Sequence, residues 1–87
     1  MKTMITVKIT SLEDVKEFVK RAVKIDGEVT VISISEKGTK YAVDGKSILG
    51  ILSLDLSHPI KVTLEKETDL RLLNLTQVSE NVFKLWR

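Results

Sequence analysis

The chain has 87 residues, 43% of them apolar and 30% charged, with 14 basic against 12 acidic residues giving a net charge of +2. That length accommodates one domain over residues 1–87 with one modest core, and scattered cations with only four aromatics argue against a nucleic-acid partner. With no cysteine and one histidine, disulfides, thiolate chemistry and a cysteine or imidazole metal centre are excluded, and no apolar run approaches membrane-spanning length. A cytoplasmic protein without cofactor is expected.

Met4 to Ile9 alternates Ile5, Val7 and Ile9 with Thr6 and Lys8, a strand pattern. Ser11 and Asp14 then have the spacing of a capping box, and Glu13 and Asp14 suit the positive end of a helix. Leu12, Val15, Phe18, Val19, Ala22 and Val23 recur at three- and four-residue steps, so this helix lays one stripe on a sheet before Asp26 and Gly27 stop it. Glu28 to Ser35 and Lys40 to Val43, separated by Glu36, Lys37 and Gly38, read as a hairpin. The apolar set moves from Val29 and Val31 to Ile32 and Ile34, which predicts a bulge or a strand end leaving the sheet.

Ser47 stands at a helix N-cap, and Ile48, Leu49, Ile51, Leu52 and Leu54 crowd two faces of the turns that follow. One face is core; the other meets a partner. Ile48, Ile51 and Leu54 supply the core stripe, which leaves Leu49 and Leu52 as the partner patch. Gly50, costing about 1 kcal/mol of helix propensity, implies close packing there. Ser57, His58 and Pro59 make a turn, and Ile60, Val62 and Leu64 alternate with Lys61, Thr63 and Glu65 in a fourth strand. Beyond it the leucines keep no helical phase. A broken helix is expected, with an extended piece over residues 70–75 and a short terminal helix over 79–86 capped by Ser79 as the alternative, and Trp86 is expected to seal a core edge.

Lys46-Ser47-Ile48-Leu49-Gly50-Ile51-Leu52-Ser53-Leu54, with Phe18-Val19-Lys20 and Glu28 to Val31, resembles the HPr family, histidine phosphocarriers of the bacterial sugar phosphotransferase system, over residues 4 to about 66. The resemblance implies an α+β open-faced sandwich in β-α-β-β-α-β-α order, a four-stranded antiparallel sheet covered on one side by two or three helices. It also implies that Ser47 is the target of HPr kinase, and that Lys46, Leu49 and Leu52 lie where the family docks on enzymes and on a transcriptional regulator.

The family's phosphohistidine, arginine and proline are replaced by Ser11, Glu13 and Asp14, in a loop about five residues shorter. Acidic groups repel a phosphoryl group, so a non-catalytic regulatory protein is expected, a monomer or weak homodimer like the branch of the family that acts in carbon-catabolite regulation without the histidine. The alternatives are a phosphocarrier using His58 as a displaced acceptor, and an oligomeric domain of unrelated function.

Overall fold

The computed structural model describes residues 2–80 and 82–85. In chain order they form strand β1 (Thr3–Lys8), helix α1 (Leu12–Ala22), strands β2 (Val29–Ile34) and β3 (Lys40–Asp44), helix α2 (Ile48–Leu52), strand β4 (Ile60–Leu64), a 3-10 helix η1 (Glu67–Leu73), and strands β5 (Leu75–Ser79) and β6 (Val82–Leu85). The strands make one sheet in the order β3-β2-β4-β1-β6-β5. Its neighbours are antiparallel except β1 and β6, which run parallel with Thr6 beside Val82 and Lys8 beside Lys84.

The four-stranded antiparallel sheet expected from the resemblance is therefore overturned: the sheet has six strands and is mixed. The broken terminal helix fails with it. Phe83 and Leu85 turn inward and Lys84 outward, a period of two, but four residues give too few repeats to stand out against the leucine cluster before them. A register shift between Gln77 and Ser79 further breaks the alternation along β5. The residues expected to open a last helix instead form one 3-10 segment, closed by Asn74 in the left-handed conformation at φ 49°. Ser79 belongs to a strand, and Trp86 lies outside the described residues.

Helices pack on one face because the inward sets of the strands are apolar. Val7, Val31, Val62 and Leu85 meet Phe18, Ile51 and Leu73 in a single core cluster, where each large apolar side chain contributes about 1.5–3 kcal/mol by burial. The apolar shift in β2 is not a bulge. Val29, Val31 and Ser33 all point inward in unbroken register, so Ile32 and Ile34 are outward-facing residues of a regular strand, and it is the inward serine that disguises the pattern.

Candidate functional site

The loop entering α2 is built from Asp44. Its carboxylate accepts from the Lys46 amide at 2.9 Å and its carbonyl from the Ser47 amide at 3.1 Å. That turn places Ser47 in extended conformation, where its hydroxyl accepts from the Gly50 amide at 3.1 Å. Lys46 points away from Ser47. Its ammonium donates to the carbonyls of Ile25 at 2.7 Å and Gly27 at 2.9 Å, and so ties the α2 loop to the chain leaving α1, where Gly27 takes φ 89°.

On α2, Ile51 is fully buried, while Leu49 is 81%, Leu52 43% and Ile48 39% exposed. A step of about 100° per residue puts Leu49 nearly opposite Ile51, Leu52 about a quarter turn from it and Ile48 beyond Leu52 toward the core, and with 39% exposure Ile48 joins the exposed set and not the core stripe expected for it. A Cβ on Gly50 would lie 3.3 Å from the Val43 Cβ. A small residue there therefore lets α2 approach β3 against a side chain. Arg21 on α1 donates to the Leu73 carbonyl of η1 at 2.8 Å, and α1 packs against α2 as well.

Ser11, where the resemblance would place a phosphohistidine, is the N-cap of α1 and accepts from the Asp14 amide at 3.1 Å. The Asp14 carboxylate accepts in turn from the Thr10 amide at 3.4 Å. Glu13 pairs loosely with Lys16 at 3.9 Å. These groups complete the helix start and offer no cationic pocket for a phosphoryl group. His58 is exposed in the turn before β4, with Asp55 beside it.

The Asp55 carboxylate accepts from the Ser57 hydroxyl at 2.6 Å and the Ser57 amide at 3.0 Å, and these bonds, with a smaller contribution from His58, hold its pKa below the ordinary aspartate value. A depressed folded-state pKa stabilises above the ordinary aspartate range, and that contribution is lost as pH falls through the folded value. Ser57→Ala is expected to move the Asp55 titration upward, read from its side-chain carboxyl carbon by NMR. An unmoved titration would mean that the hydroxyl bond is not formed.

One cleft of about 380 Å³ is lined by Glu28, Thr30, Val43, Asp44 and Lys46, and another of about 370 Å³ by Ile5, Leu70 and Phe83. Among the described residues no three His, Asp or Glu side chains gather as a metal site, and no helix is long and apolar enough to cross a membrane. The signal for Ile48 lay in its four-residue spacing from Leu52; nothing local in the sequence announces that Lys46 reaches Ile25, 21 residues away. In comparisons with known proteins, the chain matches no family model, no curated protein and no solved structure.

Proposed function

We propose that this chain is a non-catalytic, protein-binding regulatory domain, related to the phosphotransferase phosphocarriers through its Lys46–Leu54 segment, that engages partners through the exposed side of α2. The observation that carries this reading is the exposure of Leu49 and Leu52 on a helix whose other side is locked into the core. Leaving such leucines in water forgoes the burial that stabilises the rest of the fold. A short helix presents little area, which suits weak and transient contacts.

Ser47 is the regulatory position of this reading. Phosphate there would put close to two negative charges one turn from Leu49 and Leu52, changing the surface that a partner meets while the core stays as it is. HPr kinase and a transcriptional regulator of carbon catabolism are the partners that the resemblance supplies.

The test is intact mass before and after incubation with ATP and HPr kinase, with Ser47→Ala as control. One phosphoryl group, absent from the control, is expected. In parallel, Leu49→Asp is expected to change stability by no more than about 0.5 kcal/mol, as surface substitutions do, yet to weaken binding of the phosphorylated protein to a catabolite regulator at least tenfold by calorimetry. No phosphorylation, or undiminished binding by Leu49→Asp, would overturn the reading.

A further inference from the structure

Among the described residues, no element covers the face of the sheet turned away from the helices. Register places Val82, Thr6, Lys61, Ile32 and Ala42 in one row across five strands, and Thr76, Lys84 and Lys8 in the row beside it. Lys40, paired with Ile34, extends the face on β3. Four lysines thus stand on this surface, and Asp44, at the far end of β3, is the acid among its strand residues.

Their charges are not balanced locally. Among the described residues the ion pairs lie on α1, and no carboxylate pairs with Lys8, Lys40, Lys61 or Lys84. The Lys61 ammonium donates to the Thr6 hydroxyl at 2.8 Å. Lys8 and Lys84 are direct register neighbours on adjacent strands, roughly 4.8 Å apart along the hydrogen-bonding direction. Like charges so placed destabilise a sheet. A fold that accepts this repulsion, on a chain with only two more cations than anions, is arranged for an anion on that face.

We propose that the uncovered sheet face is a second docking surface, separate from α2 and independent of Ser47, and that its occupant is an acidic polypeptide segment. Carboxylates would meet Lys8, Lys61 and Lys84, while small apolar side chains would lie on the half-buried Ile32 and Val82 in the middle row. A nucleic acid fits less well, because the strand residues of this face include neither an aromatic platform nor an arginine. A lipid surface fits less well too. Its strongly exposed apolar groups, Met4 and Ile34, stand at opposite ends of the face, while lysine and threonine occupy the centre where an inserting wedge would be needed.

Five strand spacings by about five residues of strand give roughly 400 Å² per partner, which is the size of a transient contact. Binding should therefore be weak and salt-sensitive.

The experiment is an NMR titration of the isotope-labelled protein with poly-L-glutamate, repeated with phosphatidylserine vesicles and with a single-stranded DNA oligomer. The proposal expects amide shifts centred on Thr6, Lys8, Lys61 and Lys84, at lower concentrations of polyglutamate than of either other probe. Lys84→Glu should weaken binding at least tenfold and also raise the melting temperature, since it turns a repulsive neighbour of Lys8 into an attractive one. Lys20→Glu on α1, which changes net charge equally, should keep affinity within twofold. Shifts on α2, equal weakening by both variants, or stronger effects from vesicles or DNA would each overturn the proposal.

Discussion

Phe18→Ala is expected to cost about 3–5 kcal/mol, the range for emptying a buried phenylalanine site. Phe18 is fully buried in the middle of α1 and is the largest side chain of the core. It belongs to the same cluster as residues of β1, β2, β4, α2 and η1, so its loss is felt by all of them and not by one neighbour. For a chain of 87 residues, stability on the order of 0.05–0.15 kcal/mol per residue amounts to about 4–13 kcal/mol in all. The variant is therefore left with between none and about 10 kcal/mol of that stability. Urea titration followed by circular dichroism measures this directly. A midpoint shift worth less than about 1 kcal/mol would mean that α1 is not seated on the sheet as described.

Leu73→Ala is expected to cost about 2–5 kcal/mol, with a different distribution through the molecule. Leu73 is the buried residue of η1, and the segment it pegs down leads directly into β5. Around it the Arg21 guanidinium binds the Leu73 carbonyl at 2.8 Å and the Asn74 carbonyl at 3.4 Å, so the side chain and the backbone are held at the same point. Removing the side chain should release the β5–β6 hairpin before the rest of the sheet, as a local opening and not a global one. Hydrogen exchange reads the difference. Amides of β5 and β6 should lose protection well ahead of those of β2 and β4, and uniform loss across all strands would show that the hairpin is not a separable unit.

How far the fold was legible depended on how many turns of a pattern each segment offers. The α1 stripe of Val15, Phe18, Val19 and Ala22 repeats often enough to be unmistakable, though Leu12 and Val23, expected in it, are exposed at its two ends, and β4 alternates cleanly from Ile60 to Leu64. In β2 the inward serine at Ser33 interrupted the apolar set and imitated a bulge. The β5–β6 hairpin was hidden most thoroughly, because strands of five and four residues with a register shift carry no sustained period. Its parallel pairing with β1 is a relation between distant segments, which no local spacing encodes.

The candidate site was read unevenly for a similar reason. Ser47 and its bond to Gly50 lie three residues apart and follow from capping rules. The inward reach of Lys46 and the register that lines up Lys8 with Lys84 exist only after folding. Charge counted along the chain looked evenly spread, whereas charge counted over a sheet face does not.

The parallel strand pair also makes one edge of the sheet depend on a distant segment. Residues 3–64 suffice to pair β1 with β4, yet the other flank of β1 waits for residues 82–85. Until they dock, the chain presents open backbone donors and acceptors along Thr6 to Lys8, the kind of edge that captures a strand from a neighbouring chain. A holding chaperone therefore matters most to this protein in the interval before the last strand docks, and slow, long-range closure of the sheet makes that interval longer than its small size suggests.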